Sequence, residues 1–392
     1  MTIADGIRES IEKSSWIRKM FEEGARLKAE FGEENVFDFS LGNPDLDPPV
    51  EFINKMRSLT SADIKNVHGY MENAGLPEAR KAIAEKVARD HGADMEPGNI
   101  IMTCGAAGGL NVVLKAILNP GDEVIVIKPY FVEYGFYISN HNGTMVLVET
   151  NEDFSLNIDA ISRAITPKTK AVLINSPNNP TGKIYSAAEI DALSSILREK
   201  SGSGGAIYLI SDEPYREIVF DNVEVPSILN YYNESVIVTS YSKSLSIPGE
   251  RIGYIAVNPS CSGIDTLMAG MIVCNRILGY VNAPAFMQRV VSGMNNVTVD
   301  VDAYKRRRDL FVQGLEDAGY DFPRPEGAFY IFCKSPVEDD VEFVRHLQNY
   351  NILVVPGVGF GGPGYFRIAY CVSEDIISRS LPKFREALAT FR

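Results

Sequence analysis

Short, almost uninterrupted apolar runs alternate along the chain with longer stretches whose apolar residues recur at three- and four-residue spacing. The runs cover residues 99–103, 123–127, 171–175, 207–211, 236–240 and 252–257. Five of the runs are rich in Ile and Val, show little polar alternation and end in loops crowded with Gly, Pro, Asn or Ser. Strands read this way when helices cover both faces of their sheet. Between the runs, Leu110, Val113, Leu114 and Ile117 mark one apolar helix face, and the pattern stops at Asn119-Pro120-Gly121. An α/β fold is predicted, a mostly parallel sheet flanked by helices. Beyond about residue 290, long helical patterns alternate with short runs at 328–332, 352–355 and 366–370, which predicts a second, smaller α+β domain. The glycine- and serine-rich stretch at 201–205 lies between a helix pattern and a strand of the same sheet and reads as a surface loop.

With 392 residues, 45% of them hydrophobic, the chain can bury a large core divided between two domains. A formal net charge of −13 argues against a nucleic-acid surface, which needs clustered Lys and Arg facing one way. Lys305-Arg306-Arg307-Arg308 is the one dense basic cluster; beside Asp302 and Asp309 it reads as a solvated helix face. The five cysteines are odd in number, far apart and free of C-x-x-C spacing, so neither a disulfide framework nor a zinc site is expected, and a cytoplasmic location is. The four histidines are scattered without H-x-x-x-H spacing, and no metal is expected. No apolar signal region opens the chain and no run of membrane-spanning length occurs, so a soluble, unexported protein without a membrane partner is expected.

In an open parallel sheet, ligands collect beyond the carboxyl ends of the strands, so the side chains that follow each run carry the candidate chemistry. After the first run, Gly105-Ala106-Ala107-Gly108-Gly109 leads straight into a helix. Bare backbone N–H groups and a helix N-terminus suit a phosphate there, although the stretch matches neither the dinucleotide fingerprint nor a P-loop, and a plain turn is the alternative. Ser240-Tyr241-Ser242-Lys243 closes the fifth run, and Arg251 follows eight residues after Lys243. A lysine at the end of a buried strand is costly unless it loses its charge, and forming an imine with an aldehyde is one way of losing it. Arg251 can clamp a phosphate that the hydroxyls of Ser240 or Ser242 also contact.

Asp212 directly follows the fourth run, and Glu213-Pro214-Tyr215 come after it. A carboxylate placed so can hold a pyridine nitrogen protonated while the tyrosine bonds the ring's 3′ oxygen; capping of a following helix is the structural alternative. In Asn175-Ser176-Pro177-Asn178-Asn179-Pro180-Thr181-Gly182, Asn175 and Asn179 are uncharged donors suited to a phenolic oxygen and a carboxylate, or parts of a purely structural turn. Phe131, just past the second run, can stack on a flat ring or join the core.

These motifs, in this order, resemble the fold-type I pyridoxal-phosphate enzymes, specifically the class I/II aminotransferases related to the aspartate aminotransferases. The S-x-S-K-x5-G-x-R-x-G stretch is the most specific; N-P-T-G and D-E-P-Y support it. The likeness extends from Leu41-Gly42-Asn43-Pro44-Asp45 through His68-Gly69-Tyr70 and Ala74-Gly75-Leu76-Pro77 to Phe366-Arg367-Ile368-Ala369-Tyr370. The resemblance implies pyridoxal 5′-phosphate as cofactor, Lys243 as its Schiff-base lysine and general base, Asp212 as pyridinium partner, and Tyr215 and Asn179 as ligands of the 3′ oxygen. It implies phosphate contacts from the Gly105-Ala106-Ala107 loop, Ser240, Ser242 and Arg251, and stacking by Phe131. Tyr70 would reach the phosphate of the neighbouring subunit, which implies a homodimer with shared active sites. Arg367 would bind the substrate α-carboxylate, helped by Asn179, with the Gly42 backbone nearby. A segment 1–48 would belong to the small domain or a dimer arm, 49–289 to the large cofactor-binding domain, and 290–392 to the small domain.

Two departures loosen the inference about substrate: Phe131 stands where aspartate-specific relatives commonly carry Trp, and Ala106-Ala107 where many carry a hydroxyl or lysine. The resemblance offers no clear second arginine for a distal carboxylate; Arg276 is the one candidate. The expected reaction is ping-pong transfer of an amino group from an L-amino acid, aspartate among the candidates, to a 2-oxo acid such as 2-oxoglutarate. A C–S β-lyase uses the same lysine, aspartate and arginine and is the rival within enzymes. A non-catalytic pyridoxal-phosphate-binding regulator is the rival of another class, though its DNA-binding region has no counterpart here. His68 beside Tyr70 either lines the site or is packed or exposed.

Overall fold

The computed structural model describes all residues except Met1, residues 13–15, Asp63, Ser203, Gly204 and Arg392. The strands in the first two thirds of the chain are β1 (Phe37–Asp38), β2 (Ile100–Thr103), β3 (Glu123–Lys128), β4 (Thr144–Glu149), β5 (Thr169–Asn175), β6 (Tyr208–Asp212), β7 (Ser235–Ser240) and β8 (Gly253–Val257). The last third adds β9 (Tyr330–Lys334), β10 (Ile352–Leu353), β11 (Val355–Pro356) and β12 (Tyr365–Ala369). Seven strands form one sheet in the order β2-β8-β7-β6-β5-β3-β4. Only β8 runs against its neighbours; the other pairs are parallel.

Side chains alternate across this sheet with the two-residue period of a strand. Ile100, Met102, Ile125, Ile127, Val172 and Ile174 face one core, while Ile101, Val124, Val126, Ala171 and Leu173 face the other. Both faces are dry, which is why the runs are continuous rather than alternating in polarity. The helix Gly105–Ile117 buries Leu110, Val113, Leu114 and Ile117 against the second face, as the spacing predicts.

A third core is dominated by aromatic residues, including Phe39, Phe311, Phe332, Phe343, Phe366 and Phe384. Around it lie the antiparallel sheet β11-β12-β9 and the parallel pair β1-β10, in which Phe37 faces Ile352. The run predicted at 352–355 is therefore divided between two sheets, its first half pairing with β1 and its second with β12. The run predicted at 328–332 begins two residues late, because Ala328 takes a left-handed conformation (φ 59°) that an extended strand excludes.

The basic run departs from the solvated face predicted for it. On the helix Val301–Ala318, Tyr304, Arg308, Phe311 and Leu315 share the buried side, and Arg308 is 0% exposed. Its Nη1 meets Asp221 Oδ2 at 2.6 Å, and Arg307 Nη1 meets Asp45 Oδ1 at 2.6 Å. Two of the four cations thus serve internal ion pairs. Of the predicted loop at 201–205, Gly202 bridges Gly205, while residues 203 and 204 lie outside the described residues. All five cysteines are unpaired, and no helix among the described residues is long and apolar enough to cross a membrane.

Candidate active site

The ends of β5, β6 and β7 and the turns after β2 and β3 open onto one cavity of about 280 Å³. Ala106 and Ala107 enter it from the first turn of the helix after β2, and Phe131 from the turn after β3. Asn179 follows β5, Asp212 ends β6 and Tyr215 follows it; Ser240 ends β7, and Ser242, Lys243 and Arg251 follow it. Gly42 and Arg367 close it from the aromatic-cored part of the chain. Gly105 stands just behind this lining with φ 73°, and a Cβ there would lie 2.8 Å from Arg251 Nη2. Absence of a side chain lets the Arg251 guanidinium lie against the start of the helix.

Asp212 is 5% exposed. Its Oδ2 accepts a 2.6 Å hydrogen bond from the Tyr134 hydroxyl, while Oδ1 is buried with no partner among the described residues. A turn, not a helix, follows β6, so the capping alternative fails. Burial pushes the carboxyl up to about 7; the Tyr134 hydrogen bond opposes the shift and the neighbouring Glu213 charge adds to it. Lys243 Nζ donates to the Gly42 carbonyl at 2.6 Å. Burial brings its ammonium down to about 8, the positive Arg367 and Arg251 acting in the same direction.

Arg367 is 2% exposed and lies between the rings of Tyr330 and Phe360, each 4.6 Å from its guanidinium carbon. Nη1 donates to Asn179 Oδ1 at 3.0 Å, Nη2 to the Ser40 carbonyl at 2.6 Å, and Nε has no partner among the described residues. Arg251 Nη1 donates to the Pro248 carbonyl at 3.0 Å. Neither arginine is paired with a carboxylate among the described residues. Asn175, the other predicted donor, has a structural part: Nδ2 donates to the Asp212 carbonyl at 2.8 Å and Oδ1 accepts from the Asn179 N–H at 2.7 Å.

Sequence reasoning missed six lining residues: Leu110, Tyr134, Tyr137, Pro214, Pro248 and Tyr330. Tyr134 and Tyr137 follow Phe131 at three-residue steps, a helical spacing that carries all three rings toward one side and was there to be read. Tyr330 gave no local signal, since only the pairing of β9 with β12 brings it beside Arg367. Arg276 does not line the cavity; it is exposed in the last turn of the helix Ile264–Ile277. Tyr70 is 94% exposed and, with His68 and Tyr280, borders a separate concavity. His68 stacks on Phe286, ring centroids 5.8 Å apart. No group of three or more metal-ligating side chains occurs among the described residues.

The unsatisfied groups fit a particular kind of ligand. An orphaned carboxylate oxygen suits a cationic ring N–H, two unpaired guanidinium groups suit a phosphate and a carboxylate, and a poorly solvated amine suits an aldehyde. Comparison with known proteins agrees. The family model for aminotransferase class I and II matches residues 34–383. A probable aspartate aminotransferase of Methanocaldococcus jannaschii is 31% identical over 382 residues, 95% of this chain and 97% of that protein. The aspartate/prephenate aminotransferase of Thermus thermophilus is 34% identical over 362 residues, 89% of this chain and 90% of its own.

Among solved structures, an amino transferase from Eubacterium rectale has a TM-score of 0.97 at 38% identity, covering 100% of both chains. Aspartate aminotransferase from Thermus thermophilus with maleate has a TM-score of 0.86 at 30% identity, covering 95% of this chain and 97% of that one. The family depends in general on pyridoxal phosphate, acts on amino and 2-oxo acids and is typically dimeric. These relationships do not favour the β-lyase and regulator alternatives. By fold and by sequence over most of its length, the chain belongs to the class I and II aminotransferases and is a transaminase of fold type I.

Proposed function

We propose that this transaminase uses pyridoxal phosphate to move an amino group from an L-amino acid, aspartate first among the candidates, to 2-oxoglutarate in a ping-pong cycle. The observation that carries the reading is the buried, unpartnered Oδ1 of Asp212 at the floor of the cavity. An unmet buried acceptor is costly, and a protonated pyridine nitrogen would satisfy it and bring the carboxyl back into its ionised form. When bound, the cofactor supplies an aldehyde for imine exchange and a protonated ring that draws the electron pair from the substrate Cα.

The chain's own residues divide the remaining work. Arg251, Ser240, Ser242 and the N–H groups of Ala106 and Ala107, with Gly105 leaving room, hold the phosphate. Phe131 would lie against the ring face, and Tyr215 and Asn179 would bond its 3′ oxygen. Tyr134, by occupying Asp212 Oδ2, leaves Oδ1 to the ring nitrogen. Arg367 would take the substrate α-carboxylate beside Gly42 and orient the Cα–H bond for proton removal. Lys243 Nζ would hold the aldehyde carbon, give it up to the incoming amine and take the Cα proton; an amine lowered to about 8 is still mostly protonated at about pH 7, but its neutral fraction is far larger than that of an ordinary lysine, which suits both tasks.

Aspartate is proposed from the names of the relatives. The proposed assembly is a cytoplasmic homodimer in which Tyr70 of the partner subunit completes the phosphate site. Its exposure on the single chain supports this. Within each subunit we divide the chain at 1–48, 49–289 and 290–392, the first and last packing together, as the β1-β10 pairing supports.

An absorbance titration tests the reading. The protein supplied with pyridoxal phosphate should show a visible band that disappears on adding aspartate and returns on adding 2-oxoglutarate. A band unmoved by any amino acid of a broad panel would rule out transamination by this site. A protein that forms no band at all would refute the Lys243 assignment.

A further inference from the structure

Tyr330 belongs to none of the contacts proposed above, yet it touches three of their members. Its hydroxyl is 2.8 Å from the Tyr215 hydroxyl, and its ring carries the Arg367 guanidinium 4.6 Å from the ring centroid. It also meets Gly42, whose carbonyl accepts from Lys243 Nζ: a Cβ at position 42 would lie 1.9 Å from the Tyr330 oxygen. The glycine is therefore what lets Tyr330 reach Tyr215. Both tyrosines line the cavity, and each hydroxyl is the other's only hydrogen-bond partner among the described residues.

We propose that Tyr330 is a positioning residue that fixes the direction of the Tyr215 hydroxyl and strengthens it as a donor to the cofactor's 3′ oxygen. The inference rests on the cofactor reading given above. A phenol has one proton to give. Between the two hydroxyls one must donate and the other accept. With an anionic acceptor in the cavity, the favourable order is Tyr330 O–H to Tyr215, and Tyr215 O–H to the 3′ oxygen, a chain in which each bond polarises the next. The ring of Tyr330, stacked on Arg367, is held by the same guanidinium that takes the substrate carboxylate, so Tyr330 lies between the carboxylate clamp and the 3′-oxygen donor.

The consequence is a shift in the protonation of Lys243 Nζ in the loaded enzyme. Loss of that proton leaves the 3′ oxygen as an uncompensated anion, and donors to an anion favour the form that carries it. A stronger Tyr215 donor therefore lowers the pH at which the proton leaves. Removing the Tyr330 hydroxyl should raise it.

The experiment is a pH titration of the visible band in enzyme loaded with pyridoxal phosphate, for wild type, Tyr330→Phe, Tyr215→Phe and the double variant. In Tyr330→Phe the midpoint should rise by several tenths of a pH unit, less than in Tyr215→Phe. The double variant should match Tyr215→Phe alone, since Tyr330 acts through Tyr215. KM for the amino donor should stay within about twofold of wild type in Tyr330→Phe, because the ring under Arg367 remains, whereas Tyr330→Leu should raise it. A midpoint unchanged in Tyr330→Phe overturns the proposal, as does a double variant that shifts beyond Tyr215→Phe. A wild-type protein that forms no band refutes the cofactor reading itself, and this inference with it, which distinguishes that failure from the other two.

Discussion

On the proposed reading, Asp212 is unfavourable for the empty protein and would be favourable once a cationic ring nitrogen is bound. Its carboxyl sits at about 7 in the folded chain because burial penalises the anion, against about 3.9 in an unfolded chain. The folded state therefore binds more protons than the unfolded state between about pH 4 and 7, and stability drawn from this group falls as pH rises through that window. Above about 7 the cost is complete. At about 1.4 kcal/mol per pH unit it amounts to a few kcal/mol. Asp212→Asn keeps the shape and the acceptor for Tyr134 but cannot ionise. In cofactor-free protein, its Tm should exceed that of wild type at pH 8, and the difference should vanish toward pH 4. Other groups titrate in the same range but are common to both proteins, so the difference isolates this one. With pyridoxal phosphate bound the order should reverse, and turnover of the variant should be severely reduced. Calorimetry at the two pH values checks the claim, and a difference independent of pH would refute it.

At the scale of elements, what could be read from sequence depended on whether a signal was local. Strands buried on both faces announced themselves as apolar runs, and five of the six predicted runs match observed strands to within one residue at each end; the sixth, predicted at 171–175, belongs to β5, which begins two residues earlier. β4, an edge strand paired only with β3 and partly exposed, was missed although Met145–Val148 is itself a short unbroken apolar run. β1 is two residues long and exists only through its pairing with β10. The same distinction holds for the cavity. Residues at strand ends were legible, whereas Tyr330 depended on strand register and the burial of Arg307 and Arg308 on acids far away in sequence. Gly109 shows how closely one element fixes another. A Cβ there would lie 2.6 Å from Val238 Cγ1, so the helix Gly105–Ile117 lies directly on β7, the strand that ends at the Lys243 turn. Gly109→Val should cost about 1–3 kcal/mol by overpacking, despite a better helix propensity, and lower the denaturation midpoint. It should also weaken cofactor affinity, because the start of that helix contributes Ala106 and Ala107. An unaltered midpoint would mean the helix can move away from the sheet.

For the whole molecule the question is whether one chain suffices. The single chain leaves Tyr70 94% exposed, and Val273 and Ile277 on the helix Ile264–Ile277 are 45% and 57% exposed, an apolar surface suited to a second copy. If Tyr70 serves the phosphate of the partner subunit, a site is built from two chains, and two damaged chains can rebuild it. Take Lys243→Ala, which should abolish turnover, and Tyr70→Ala, which should reduce it. In a mixed dimer, one site lacks both side chains. The other has Lys243 from the Tyr70→Ala subunit and an intact Tyr70 from the Lys243→Ala subunit. Mixing subunits should therefore raise activity above that of the Tyr70→Ala protein alone, although the added protein has no activity of its own. If Tyr70 acted within its own chain, every site with Lys243 would lack Tyr70, and mixing would add nothing. Measuring activity as Lys243→Ala subunits are added in increasing excess separates the two cases: a rise per Tyr70→Ala subunit establishes sharing, and a flat response places Tyr70 outside the neighbour's site.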